Sequence, residues 1–164
     1  MERVWLSIGS NLSNPLQKVN NAIKALKDLP KTRLVACSSY YRSRPLGLKN
    51  QPDFLNAVVA LDTNLAPGTL LIYIQKIELC QGRIRTKNRF GPRTLDLDIL
   101  LFGKKIIIEN HLVIPHYDMY RREFVLYPLS EIAPDLKLPN GVLISNQLQQ
   151  VPFNGLTCWG KKDV

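Results

Sequence analysis

FGPRTLDLDILLFG, residues 90–103, is the stretch on which the reading of the fold depends. From Leu95 to Phe102 it is the most strand-like run in the chain, yet it carries two carboxylates, Asp96 and Asp98. Side chains alternate across a strand, so these two share a face, with Cα atoms ~6.6 Å apart. Leu95, Leu97, Ile99 and Leu101 are expected on the opposite face. Two carboxylates side by side repel unless a cation joins them. Hard oxygen ligands so arranged suit Mg²⁺, which keeps several waters and takes one or two carboxylates plus substrate phosphates. Immediately upstream lie Arg83, Arg85, Lys87, Arg89 and Arg93, five basic residues in eleven positions with no acid among them. Arginines clamp phosphates, and a metal with an arginine clamp is the usual equipment of phosphoryl transfer. On these residues alone a structural pairing of each aspartate with an arginine stays open.

Working back from this strand, Val4, Leu6 and Ile8 alternate with other residues and predict a first strand ending at Gly9-Ser10-Asn11. Asn14-Pro15 is a helix start, followed by Leu16, Val19, Ala22, Ile23, Leu26 and Leu29 at helical spacing. Residues 33–42 and 55–61 predict a second and a third strand. Pro67 opens a second helix that turns Leu70, Ile74 and Ile77 inward and that Gly82 is placed to end. With the Asp strand the order is β-α-β-β-α-β, a ferredoxin-like α+β core. Beyond it the sequence suggests a loop, a short strand or turn, and a short helix near residues 129–133. Residues 1–164 are expected to form a single domain with extra C-terminal short strands and helices.

Composition narrows the class. Apolar residues make up 45% and charged residues 21% of 164, a globular balance. No apolar run approaches the ~18 residues of a membrane span, and no signal-peptide pattern opens the chain. Cys37, Cys80 and Cys158 are odd in number and lack a CxxC pair, which predicts reduced thiols and a cytoplasmic protein. The net charge of +9 points to an anionic partner. No GxxxxGK[ST] or GxGxxG loop is present to hold it.

Residues 89–100, RFGPRTLDLDIL, resemble the signature of the 6-hydroxymethyl-7,8-dihydropterin pyrophosphokinases of folate biosynthesis. The likeness extends through IGSNL at 8–12, SSYYRSRPLG at 38–47, QPDFLNAV at 51–58, IELCQGRIR at 77–85, PHYDM at 115–119 and FVLYPLSEIAP at 124–134. It implies transfer of the diphosphate of ATP, as co-substrate, to the pterin hydroxymethyl oxygen, with AMP released. Asp96 and Asp98 would hold two Mg²⁺ ions that bridge the triphosphate, and one of the ions would also orient the attacking hydroxyl. Arg83 and Arg93 would neutralise charge on the transferred group. Arg85, His116, Tyr117 and Arg122, with Gln75, Glu78 and Ile99, are the implied ATP contacts. Phe54 and Phe124 match the stacking positions for pterin, Asn56 its reading amide, and Ser43, Pro45, Leu46 and Phe90 further pterin contacts. The small-molecule substrates leave no role for nucleic acid or membrane, and a monomer is expected.

The alternative from another class is an RNA-binding ferredoxin-like module using the basic segment. It calls for an RNP-like aromatic pattern, which the sequence lacks. An acidic pair within the basic region would also repel a phosphate backbone.

Overall fold

The computed structural model describes residues 1–45, 50–82 and 94–159. A first strand, β1 (Glu2–Ser10), buries Val4, Leu6 and Ile8 at alternate positions. Helix α1 (Pro15–Lys27) follows, with Asn14 Oδ1 accepting from the Gln17 N–H at 3.3 Å. Pro15 sits in the first turn, where its missing N–H removes no helical bond. The chain then forms β2 (Thr32–Cys37), β3 (Tyr41–Ser43) and β4 (Phe54–Thr63). Helix α2 (Pro67–Cys80) is followed by Gly82 at φ +87°, the left-handed conformation that stops a helix and favours glycine. With β2 and β3 together standing where one strand was expected, β5 (Asp96–Phe102) completes the β-α-β-β-α-β order.

Every pairing in this sheet is antiparallel. β1 lies between β5 and β4, and the other edge of β4 is shared by β2 and β3. That is the ferredoxin-like order read from the sequence. One face buries Val4, Leu6, Ile8, Val59, Leu61, Leu97 and Ile99 against α1 and α2. Those helices contribute Val19, Ala22 and Leu26, and Leu70, Ile74 and Ile77. Leu16, which shares the helical spacing, is 43% exposed and stands at the helix start, off the core stripe.

The second face carries a separate core of Val58, Leu100, Leu101, Leu126 and Leu129. It is covered by α3 (Glu123–Ile132) and α4 (Ile144–Gln149). A short ladder of β6 (Ile107–Ile108) with β7 (Val113–Ile114) and a final strand β8 (Thr157–Cys158) beside β3 complete the C-terminal additions. Among the described residues no helix is long and apolar enough to cross a membrane.

Three local readings need correction. Leu101 lies on the aspartate side of the sheet, because the register between β1 and β5 slips between Trp5 and Leu6. Leu100 is the extra residue, and such a bulge reverses the alternation beyond it, so Phe102 joins the helix-side core. The run read as one strand at 33–42 is broken into β2 and β3. Ser38 replaces a ladder carbonyl with its hydroxyl, which accepts from the Val58 N–H at 2.9 Å, and the Ser39 N–H turns to Glu131 at 3.0 Å. The helix placed at 129–133 starts at Glu123, with Pro128 inside it. Proline is a poor guide to that boundary here, since Pro128 sits inside the helix although it gives up the bond to the Phe124 carbonyl and crowds it.

Candidate active site

Register partners in an antiparallel pair project to the same side of the sheet. Tyr41 on β3, Asn56 on β4, Gly9 on β1 and Asp96 on β5 are partners in succession, so one row crosses four strands. Val58, Ser7 and Asp98 form the next row. Strands are spaced ~4.8 Å apart, which separates the Asn56 and Asp96 backbones by roughly 10 Å. Gly9 stands between them. A Cβ there would lie 3.3 Å from Asn56 Nδ2, so glycine keeps the floor between the amide and the carboxylate low.

The side chains on this floor are held from several directions. Ser43 is buried and donates its hydroxyl to Asn56 Oδ1, which fixes the amide with Nδ2 on the Gly9 side. Phe54 pairs with Ser43 in register and is half-buried two residues before Asn56 on the same face. Phe124, half-buried in the first turn of α3, approaches from the helix layer above that face. Neither ring belongs to the fully buried core. At the end of β1, Ser10 donates its hydroxyl to the Thr94 carbonyl, and Asn11 Nδ2 donates to Gln51 Oε1 and the Pro52 carbonyl, each at 2.9 Å. These bonds gather the start of β5 and the approach to β4 around Gly9.

Asp96 and Asp98 are both half-buried at the open end of β5. Beneath them, on the helix side, Glu78 is 2% exposed and accepts from the Leu97 N–H at 2.9 Å. β5 is an edge strand, so that N–H points away from β1 and needs an acceptor. Glu78 therefore secures the residue between the two aspartates. Gln75, one turn earlier on α2, is half-buried. The Ile99 side chain is 5% exposed in the helix-side core, which leaves only its main chain for a nucleotide. Among the described residues no three His, Cys, Asp or Glu side chains cluster as a metal site. The donor set is the aspartate pair, a fit for Mg²⁺ whose remaining ligands are water and phosphate oxygens.

The 115–122 segment closes one side. The His116 N–H bonds to the Leu100 carbonyl at 3.0 Å, which ties the segment to β5 two residues past Asp98. His116 and Tyr117 stack with ring centroids 4.8 Å apart, and Tyr117 is 61% exposed. The Asp118 N–H donates to His116 Nδ1 at 3.2 Å. Asp118 also accepts from Arg122 Nε at 3.1 Å and Arg121 Nε at 2.6 Å. Burial pushes the Asp118 carboxyl up, but the two guanidiniums outweigh it and hold it below the ordinary aspartate value. Arg122 lies with Cζ 5.5 Å from the Phe124 ring centroid, so it joins the phosphate-side and ring-side residues.

The structure thus brings Ser43, Phe54, Asn56, Asp96 and Asp98 onto one face, with His116, Tyr117, Arg122 and Phe124 on segments that pack beside it. Pro45 is half-buried just past β3. Arg83, Arg85, Phe90, Arg93 and Leu46 lie outside the described residues. Asp118, Gly9 and the Ser10–Asn11 pair were missed as site-builders by sequence reasoning. Asp118 had a signal, since an acid four positions before Arg122 is within ion-pair reach across a helical turn.

The family model for 7,8-dihydro-6-hydroxymethylpterin-pyrophosphokinase matches residues 5–134. A 2-amino-4-hydroxy-6-hydroxymethyldihydropteridine pyrophosphokinase of Pseudomonas aeruginosa is 53% identical over 156 residues, covering 95% of this chain and 96% of that protein. Another of the same name, from Haemophilus influenzae, is 50% identical over 150 residues, covering 92% and 93%. A crystal structure of HPPK-DHPS in complex with substrates superposes with a TM-score of 0.72 at 15% identity. That match covers 91% of this chain and 43% of the other, so the chain spans less than half of that solved chain and the likeness is one of fold. The chain belongs to the 7,8-dihydro-6-hydroxymethylpterin pyrophosphokinase family.

Proposed function

We infer that this chain transfers the diphosphate of ATP to 6-hydroxymethyl-7,8-dihydropterin, giving the pterin diphosphate and AMP, in tetrahydrofolate biosynthesis. It does so as one domain, residues 1–164, acting as a monomer in the cytoplasm. Family membership supports the reaction. The row Asn56–Gly9–Asp96 is the observation that carries it at this site, because it sets an oriented amide beside an aspartate pair across a floor without a side chain.

The pterin is flat, with apolar faces and a polar edge. Phe54 and Phe124 take the two faces, Asn56 reads the edge, and Ser43, Pro45, Leu46 and Phe90 line the ring's surroundings. Its hydroxymethyl group then points along the row toward Asp96. Asp96 and Asp98 would hold two Mg²⁺ ions, which would supply positive charge to the triphosphate. Asp96 also orients the hydroxymethyl oxygen. That oxygen forms a bond to the β-phosphorus, the bond from the β-phosphorus to the α-phosphate oxygen breaks with its electron pair going to the departing AMP, and the hydroxyl proton passes to solvent water. Arg83 and Arg93 neutralise charge on the transferred group. Arg85, His116, Tyr117 and Arg122 hold ATP, with Gln75 and the Ile99 main chain beside them. Glu78 acts through β5, given its burial and its bond to Leu97.

The test is to incubate the protein with ATP, Mg²⁺ and hydroxymethyl-dihydropterin and to separate the nucleotides. AMP should accumulate in step with pterin diphosphate. ADP as the main product would overturn the assignment.

A further inference from the structure

Beyond the catalytic row, toward the other end of β1 and β5, the same sheet face opens into a second pocket of about 540 Å³. A volume of this size suits a small ligand. None of the residues assigned above to ATP, pterin or metal lines it. Its floor is Trp5 and Leu101, register partners on β1 and β5. The bulge at Leu100 is what turns Leu101 to this side, so the floor is a consequence of the register slip. Leu138 and Pro139 form a wall on the turn closed by the Leu138 N–H to Val142 carbonyl bond at 2.9 Å and the Gly141 N–H to Leu138 carbonyl bond at 2.8 Å.

The rim is predominantly basic. Arg3, Lys104, Lys105 and Lys137 line it, and one carboxylate, that of Glu2, lies against the lining residue Gly103. Arg3 is already engaged by Asp62, with Nε 2.5 Å from Oδ1. The three lysines are exposed, and among the described residues none forms an ion pair. An indole and leucine floor under exposed ammonium groups matches a molecule with an apolar body and an anionic head.

We propose that this pocket binds a small amphipathic anion, a ring-sized apolar body bearing a carboxylate or phosphate, at the same time as ATP occupies the catalytic site. The body lies on Trp5 and Leu101, and the head meets Lys104, Lys105 and Lys137.

The test uses 2-naphthoate as the probe and the Trp5 indole N–H resonance in proton–nitrogen spectra as the reporter. The chain has two tryptophans, so Trp159→Phe assigns the signal. Each titration is run both without nucleotide and with saturating ATP and Mg²⁺. The Trp5 signal should shift saturably with 2-naphthoate. The combined variant K104Q/K105Q/K137Q should bind at least tenfold more weakly, and uncharged 2-naphthol at least tenfold more weakly than the acid. The same spectra report whether the variant is folded, and its changes are confined to exposed side chains. No saturable shift, equal binding of 2-naphthol, an unchanged affinity in the folded variant, or a shift abolished by ATP would each overturn the proposal.

Discussion

A single hydrogen bond decides which way the Asn56 amide faces. Asn56 carries an acceptor and a donor that are easily exchanged by rotation, and the buried Ser43 hydroxyl selects one orientation by donating to Oδ1. Ser43→Ala removes that selection and leaves the rest of the row untouched. A typical hydrogen bond is worth ~0.5–1.5 kcal/mol net, so pterin affinity should fall roughly three- to tenfold. ATP affinity should stay as it was. Calorimetric titration of each ligand separates the two effects, and an equal weakening of both would remove Ser43 from the pterin side. Asn56 was legible in the sequence, because an amide within the apolar run LNAVVAL must find partners if buried. Ser43 as that partner was not, since the pairing of β3 with β4 is a long-range fact.

At the scale of elements, two carboxylates hold the segments that frame the candidate site. Glu78, from α2, accepts from the Leu97 N–H between the two aspartates. Glu78→Ala would leave a buried donor on an edge strand, at a cost of ~1–3 kcal/mol. A lower melting temperature together with a lower kcat is expected. Unchanged kcat in the folded variant would show that β5 keeps its position without Glu78. Asp118 does the same for the segment ahead of α3 by holding Arg121 and Arg122. Its carboxyl is held below its ordinary value of 3.8 in the folded protein. A depressed folded-state value means that the unfolded chain binds the proton more readily, so the contribution is full above the ordinary value and is lost as pH falls through the depressed one. The melting-temperature gap between the native protein and Asp118→Asn should therefore be largest near neutrality and shrink as acid is added below pH 3.8. A gap independent of pH would contradict this. The elements themselves were largely legible: caps at Asn14-Pro15, Pro67 and Gly82 marked both sheet-packing helices. The break at Ser38 and the start of α3 were not. Each depends on a tertiary partner, Val58 or Glu131 for the first, and on a proline tolerated inside a helix for the second.

Across the whole molecule, the sheet divides its labour by face and by end. The side under α1 and α2 is a continuous apolar core, while the other side is packed by α3 and α4 around Val58 and Leu101 and carries the polar row at the Gly9 end. Alternation along β1, β4 and β5 made the first core readable from sequence; the second was harder, since the bulge at Leu100 shifts which residues join it. On this account folding rests on the two cores, and turnover is proposed to rest on the polar row. The aspartate pair tests that division most directly, because a structural ion pair and a metal site predict opposite results for it. Asp96→Asn and Asp98→Asn each remove one charge and substitute a poorer Mg²⁺ ligand while keeping the side chain's shape. Thermal melts and Mg²⁺-dependent AMP formation should be measured on the same preparations. We predict melting temperatures close to that of the native protein with nearly all turnover lost. A marked drop in melting temperature, with activity retained per folded molecule, would contradict the metal site and make the aspartates a structural pair.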